Sequence, residues 1–195
     1  IRMNEEGIRK DIDSEFLHDF RVSVRRSRVL LGQIKNVLQP SVTEQLQNDL
    51  RTLGTWTNRL RDLDVYLLKQ DHYEKLLPER LQGGLKRLFQ TLRRQRKREF
   101  DKIVSILASE EYQNRIKNIE RFVNAKSEAA NASEPLGHTP IIDIAKNAIY
   151  RRHRKIIKKG RQIQVDTPDE KLHQLRIDCK KLRYLLEFFA SLFPA

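Results

Sequence analysis

The sequence predicts an all-α fold that contains a duplicated structural unit. Six prolines are spread along the 195 residues, and the segments between them are rich in Leu, Arg, Lys, Glu and Gln, which are good helix formers. Runs that alternate apolar and polar residues, as strands do, are absent. In addition, one pattern of residues occurs twice, and such a repeat is typical of a duplicated unit.

The repeat lies at residues 17–31, LHDFRVSVRRSRVLL, and at residues 172–186, LHQLRIDCKKLRYLL. The two segments align without a gap. We call one set of basic positions the first basic row: His18, Arg21, Arg25 and Arg28. The matching positions form the second basic row: His173, Arg176, Lys180 and Arg183. One further basic residue lies beside each row, Arg26 beside the first and Lys181 beside the second.

The spacing of Pro, Gly and apolar residues predicts helices at 2–12, 14–38, 42–70, 79–108, 110–127, 140–162 and 168–193. Suitable N-caps are Ser14, Ser41 and Thr167, and Pro168 suits the first position of a helix. The segment SEAANASEPLGHTP at 127–140 is small and polar, which is typical of a linker. We therefore predict a first bundle at 1–127, a linker at 128–139 and a second unit at 140–195. We expect the second unit to be incomplete, because the long helix after the first repeat has no counterpart after Phe193.

The charge of the chain points to a polyanionic partner. The formal net charge is +13 and the isoelectric point is about 10.0. Inorganic polyphosphate, nucleic acid and an anionic membrane would all relieve the self-repulsion. Cys179 is the only cysteine, which excludes an internal disulfide and a thiolate zinc site and fits a reducing, cytoplasmic location. No apolar run approaches the roughly 20 residues of a membrane span, and residues 1–10 lack a signal-peptide core.

Helical geometry places each basic row beside an apolar seam. The first row falls within roughly 80° of helix surface next to its seam. The two seams are Leu17, Phe20, Val24, Leu31, Ile34 and Leu38, and Leu172, Leu175, Cys179, Leu182, Leu186 and Phe189. A charge row in that position is expected to be partly buried, and buried cations need an anion or the acids of another helix. Arg96 raises the same question, since it also lies on an apolar helix face.

Other interpretations of these residues remain open. Either row is also explained by a solvated helix face whose Lys and Arg stems cover the core. A metal site at His18 and His173 is weakly supported, because no cysteine or trio of acids accompanies them. Within RDLD at 61–64 we expect an ion pair between Arg61 and Asp64, with Arg61 partly facing the basic rows. The basic run 86–98 and the acid-free stretch 145–165 have the composition of solvated faces.

Several spaced motifs together resemble one known family. They are the twice-repeated pattern H-x-x-R-x-x-x-[RK]-[RK]-x-R, the segment LRDLDVYLL at 60–68 and the segment KKLRYLLEFF at 180–189. Over nearly the whole chain they resemble the CHAD domain, an α-helical domain named for its histidines. The resemblance implies two related antiparallel helical bundles around a pseudo-twofold axis, with basic rows lining a central groove. Measured against that pattern, we expect the second bundle to be truncated in this chain.

The resemblance also implies a function, which is binding of inorganic polyphosphate and association with polyphosphate granules. Carried over to this chain, it places a set of basic residues in the groove: His18, Arg21, Arg25, Arg26, Arg28, Arg61, His173, Arg176, Lys180, Lys181 and Arg183. We add Arg96 from its position on an apolar face. Some members are fused to a triphosphate-tunnel hydrolase, but its acidic and basic strands are absent from these residues, so no hydrolase activity is implied.

Two other function classes compete with this interpretation. Nucleic-acid binding is the first alternative, although aromatic residues make up only 7% of the sequence and Trp56 is the sole tryptophan. Phosphoryl transfer is the second, although the sequence has no phosphate-binding glycine loop, metal carboxylate cluster or activated nucleophile. We therefore expect a binding protein rather than an enzyme, with no cofactor and no metal.

Overall fold

The structure, a computed structural model, describes residues 1–34, 37–125 and 136–193. These residues form nine α-helices and two short 3₁₀ turns, and none of them lies in a β-strand, so the all-α prediction is confirmed. The helices are α1 Glu5–Arg9, α2 Ser14–Leu31, α3 Pro40–Trp56, α4 Asn58–Leu68, α5 Gln70–Leu76, α6 Glu79–Ala108, α7 Glu110–Asn124, α8 Ile141–Gly160 and α9 Asp169–Phe189. The 3₁₀ turns are Arg2–Asn4 and Ala190–Leu192.

The helices group into two compact units that are discontinuous in sequence. The first unit consists of Ile1–Arg25 and Asn48–Asn124, and the second of Arg26–Gln47 and Ala125–Ala195. The second unit therefore includes the end of α2 and the start of α3 as well as α8 and α9. Most of the predicted linker at 128–139 lies outside the described residues, and the division of the chain at that linker stays a prediction.

The first unit has a core of aliphatic and aromatic side chains from six helices. On α2 the core residues are Leu17, Phe20 and Val24, each at most 3% exposed, as the predicted seam required. The other helices contribute the buried side chains of Ile8, Leu50, Leu53, Leu60, Leu63, Phe89, Phe100, Ile103, Leu107, Tyr112 and Ile116. Helix α6 packs against α1, α4 and α7, so it lies at the centre of this arrangement.

The predicted helix at 42–70 is two helices that meet at Thr57. The buried Thr57 hydroxyl donates to the carbonyl oxygens of Leu53 at 3.0 Å and Gly54 at 3.1 Å. A threonine that bonds back to the preceding turn competes with the helical hydrogen bonds and breaks or bends the helix. The sequence pattern alone did not reveal this break, because the apolar spacing continues through it.

The end of α1 is a tight turn with a residue in the left-handed region. Asp11 has a φ of 49°, and the amide of Ile12 donates to the Gly7 carbonyl while the amide of Asp11 donates to that of Ile8. These bonds form a Schellman motif, in which glycine is the usual residue at the Asp11 position. Gly7 itself has no room for a side chain, since a Cβ there would lie 2.2 Å from the Phe16 ring.

The second unit is built on the packing of α8 against α9. Ala145, Ala148, Leu185 and Phe189 form its core, and partly buried side chains that include Leu30 complete it. The predicted seam of α9 is wrong in register over most of its length. Its member Phe189 is buried, but Leu172 and Leu186 are 42% and 49% exposed and Cys179 is exposed, whereas Asp178 and Leu185, which lie outside the predicted seam, are buried. Helix α8 approaches α9 on the Asp178 side, a choice that heptad spacing within α9 does not encode.

Several predicted helix ends differ from the structure. Helix α2 ends at Leu31 rather than at residue 38, just before Gly32, a residue that costs about 1 kcal/mol inside a helix. At its start, the Asp13 carboxylate accepts from the Glu15 amide at 2.8 Å, so Asp13 rather than Ser14 caps it. Helix α3 already begins at Pro40, and the Thr167 hydroxyl accepts from the Gln164 amide instead of capping α9.

Candidate functional site

The first basic row lies on α2 and is only partly buried. His18 and Arg21 are half-buried, as expected for a row beside a seam, but Arg25, Arg26 and Arg28 are exposed. The expectation of burial is therefore wrong for the C-terminal part of the row. There the helix turns these long side chains to solvent, where water solvates the charge at no desolvation cost.

Arg21 is fixed by uncharged acceptors at the break between α3 and α4. One terminal nitrogen donates to the Gly54 carbonyl at 2.9 Å and to the Thr57 hydroxyl at 2.8 Å, and the other donates to the Asn58 side-chain oxygen at 2.8 Å. Thr57 thus breaks the helix and also accepts a bond from the basic row. None of these acceptors carries a charge, so the guanidinium keeps its full positive charge.

The surroundings of Arg21 are electrostatically unfavourable to another cation. Burial lowers the pKa of Arg21, the charge of Asp62 opposes that shift, and the neighbouring Arg25 and Arg61 lower it further. Arginine stays protonated despite such a shift, so Arg21 is a partly desolvated cation that also lies near the charges of Arg25 and Arg61. A bound anion would stabilise that cation.

The predicted pair of Arg61 with Asp64 is wrong. Arg61 instead donates to the Ser14 carbonyl at 3.3 Å and lies 3.6 Å from Glu15, whereas Asp64 is buried and accepts from Arg96 at 2.7 Å. Arg96 also donates to both carboxylate oxygens of Asp11, at 2.8 Å and 2.6 Å. The cation on the apolar face of α6 is thus satisfied by two internal acids, a partnership that spans 85 residues and that local spacing cannot predict.

The second basic row lies on α9 and is exposed. His173, Arg176, Lys180 and Arg183 are all exposed, and Lys181 is half-buried. The expectation of a partly buried row is therefore wrong for this copy. The physical reason is the register of α9, whose Asp178 side, rather than the seam beside the row, faces α8.

Few acidic side chains lie close to the second basic row. Arg183 lies 3.3 Å from Glu187 and over the Tyr184 ring, and Glu187 also lies 3.2 Å from Arg26. Within the part of the chain that the structure describes, Arg176, Lys180 and Lys181 form no ion pair. These residues therefore present a net positive surface on α9.

Several acidic side chains form ion pairs with cations outside the two basic rows. Asp49 pairs with Arg115 at 2.7 Å, and Asp178 is held by Arg152 at 2.8 Å and Lys159 at 2.6 Å. Burial alone would raise the pKa of Asp178, but the Lys159 hydrogen bond and the charges of Lys155, Lys159 and Arg152 outweigh it and lower the pKa. Sequence reasoning missed this cluster, because it treated the acid-free stretch as a solvated face and did not consider Asp178.

Two further classes of site are absent from the described residues. There, no group of three or more His, Cys, Asp or Glu side chains is placed to hold a metal ion. None of the helices in that part of the chain is long and apolar enough to cross a bilayer.

Comparison with known proteins identifies the family. The sequence profile of the CHAD domain matches residues 1–195. The chain belongs to the CHAD family. This confirms the resemblance that the repeated pattern and the flanking motifs indicated.

A solved structure supports the same assignment. The crystal structure of the CHAD domain from the plant Ricinus communis is similar to this chain, with a TM-score of 0.72 and 25% sequence identity. The match covers 100% of this chain and 62% of that one, so the chain spans about three-fifths of the length of the plant structure. No curated protein matches the chain.

Proposed function

We propose that this CHAD domain binds inorganic polyphosphate through the two basic rows. The observation that carries the proposal is the exposed surface of α9, where Arg176, Lys180 and Lys181 have no acidic partner among the described residues. Family membership supports the choice of polymer, because the CHAD resemblance implies polyphosphate binding. We also propose that the two rows line the groove that the CHAD resemblance implies.

The chemistry of the rows suits a linear, repetitive anion. Arginine offers a fork of N–H donors that grips two phosphate oxygens, and lysine offers a mobile point charge. Positions 176 to 183 rise about 10 Å along the helix, so a row contacts several successive phosphates of an extended chain. Binding releases counterions, and the affinity therefore falls as salt is added.

The residues of the predicted site divide into two roles within this proposal. Arg25, Arg26 and Arg28 on α2, together with the second basic row and Lys181, contact the polymer, because their side chains are solvent-accessible. Arg61 and Arg96 form ion pairs with acidic side chains of the same chain, and they instead stabilise the helices around the first row. Arg21 does both, since its partners are uncharged.

The proposal extends to catalysis and location. We propose a binding protein without hydrolase or kinase activity, located in the cytoplasm and attached to polyphosphate granules through the rows. Nucleic-acid binding remains the alternative for the same basic surface. We favour polyphosphate because aromatic residues make up only 7% of the sequence, whereas single-strand binders stack bases on aromatic side chains.

A competition experiment tests the choice of polymer. Labelled long-chain polyphosphate is bound to the protein, and unlabelled polyphosphate, duplex DNA, single-stranded RNA and ATP are compared as competitors at equal charge concentration over a salt series. We expect polyphosphate to compete best at every salt concentration. Equal or stronger competition by DNA or RNA at moderate salt would contradict the proposal and favour the nucleic-acid alternative.

A further inference from the structure

A small basic pocket lies in the second unit, away from the exposed row of α9. It has a volume of about 240 Å³ and is lined by Gly32, Gln33, Ala148, Arg151, Arg152 and Lys155. Pockets that hold drug-sized ligands measure about 300–1,000 Å³, so this one fits a smaller ligand. Half of the lining residues are cations and none is acidic.

The positive charge of this pocket exceeds the negative charge beneath it. Asp178 bonds to the lining residue Arg152, and its two oxygens are already taken by Arg152 and Lys159. Lys155 is close enough to lower the pKa of Asp178, yet neither Lys155 nor Arg151 forms an ion pair within the described residues. Two exposed cations one helical turn apart thus repel each other without an acid between them.

The pocket is also organised before any ligand arrives. Arg152 donates to the Gln33 side-chain oxygen and to Asp178, and these bonds fix the guanidinium in place. Because the Gln33 oxygen accepts from Arg152, its amide N–H groups are what it offers a ligand. One small volume is therefore surrounded by the guanidinium groups of Arg151 and Arg152, the ammonium of Lys155 and the amide of Gln33. This arrangement suits a compact oxyanion with oxygens in several directions.

We propose that this pocket binds a small phosphate anion of the orthophosphate or pyrophosphate class. A tetrahedral anion with two or more charges uses donors from several sides, whereas a carboxylate uses one planar pair. The inference does not depend on polyphosphate binding by the rows, since the lining residues are separate from both. It also gives a role to the acid-free stretch 145–165, which sequence reasoning had assigned to a solvated face.

In the test, the full chain is titrated with pyrophosphate at low salt, and binding is measured by calorimetry or phosphorus NMR. The pocket variant is Arg151→Gln with Lys155→Gln. The matched control is Arg154→Gln with Lys158→Gln, which removes the same residue types at the same spacing from exposed positions of the same helix. We expect the pocket variant to weaken pyrophosphate binding at least about tenfold, or 1.4 kcal/mol, and the control to stay within about twofold.

Three results would overturn the inference. They are no pyrophosphate binding by the unaltered chain, equal losses in the pocket variant and the control, and loss of pyrophosphate binding in Arg176→Gln with Lys180→Gln. The last result would place the anion on the α9 row. Failure of polyphosphate binding in a separate titration would instead contradict the proposed function and leave this inference standing.

A further arm identifies the source of the phosphate. Short and long polyphosphate are compared as competitors of pyrophosphate at equal total phosphate. If short chains compete better through the pocket residues, the occupant is the terminal phosphate of a polymer. If neither competes, the occupant is the free anion. Both results support a phosphate site.

Discussion

Two adjacent lysines on α8 are predicted to differ sharply in their contribution to stability. The Lys159 ammonium lies 2.6 Å from Asp178, and their side chains are 32% and 1% exposed. Lys158 is exposed and has no ion pair among the described residues. Replacing Lys159 by Ala therefore removes one of two cations from a buried carboxylate, whereas Lys158→Ala removes only a solvated charge.

The size of the effect follows from the burial of Asp178. A hydrogen bond to a charged group contributes about 1.5–3 kcal/mol. Lys159 is nearly one-third exposed and Arg152 still holds the other oxygen, so we expect the lower part of that range, about 1.5–2 kcal/mol. Lys158→Ala should change the free energy of unfolding by no more than about 0.5 kcal/mol. Both substitutions introduce the same residue into one helix, so helix propensity cancels.

Urea unfolding and thermal unfolding of both variants are measured by circular dichroism. Lys159→Ala should lower the melting temperature by roughly 3–8 °C for a chain of this length. Equal effects of the two substitutions would refute the argument that Lys159 is committed to Asp178.

The pH dependence provides an independent check on the same pair. The pKa of Asp178 is lowered in the folded state, so its stabilisation is present above its ordinary value of about 3.9 and is lost as the pH falls through the lower, folded value. The stability difference between the unaltered chain and Lys159→Ala should therefore shrink in acid below that range. A difference that persists unchanged at pH 2 would contradict the assignment.

Two further predictions concern the first unit and the chemistry of the whole chain. Arg96→Ala should destabilise the protein by about 3–5 kcal/mol, because it leaves the buried Asp64 without its cation, whereas the exposed pair of Lys97 with Asp101 should contribute less than about 1 kcal/mol when Lys97→Ala removes it. A similar loss for both in urea unfolding would contradict this. The chain should also neither hydrolyse nor elongate polyphosphate with Mg²⁺ or Mn²⁺ present, and phosphate release that disappears in His18→Ala would overturn that expectation.

The sequence predicts the helices and the location of the repeated rows because these depend on local spacing. The seam of Leu17, Phe20 and Val24 is buried as its periodicity required. The family resemblance rests on the same local patterns. At Thr57 a side chain of the helix itself causes the break between α3 and α4. The cause is present in the sequence, but the apolar spacing continues through it and gives no sign of the break.

The remaining features depend on which distant helix packs where. Asp64 pairs with Arg96, 32 residues away, rather than with the local Arg61. Asp178 is buried by α8, and that contact commits Lys159 while Leu172, Cys179 and Leu186 of the predicted α9 seam stay exposed. Periodicity identifies an apolar face but does not specify its partner, so burial on α9 and the pairing of buried acids were beyond sequence reasoning.

The most direct test of the proposed function compares two pairs of cations with equal total charge. Arg176→Gln with Lys180→Gln removes two exposed cations from the second basic row, and Arg154→Gln with Lys158→Gln removes two exposed cations from α8. Circular dichroism and thermal unfolding first establish that both variants keep the fold, as expected for substitutions of exposed side chains.

Polyphosphate affinity is then measured for both variants and the unaltered chain over a salt series. At about 0.5–1 kcal/mol for each solvent-accessible contact, the row variant should bind roughly 5–30-fold more weakly, and its salt slope should fall by roughly one unit per contact. The α8 variant should lose less than about threefold. Equal losses would mean that binding is diffuse surface electrostatics and would contradict the assignment of the site to the basic rows.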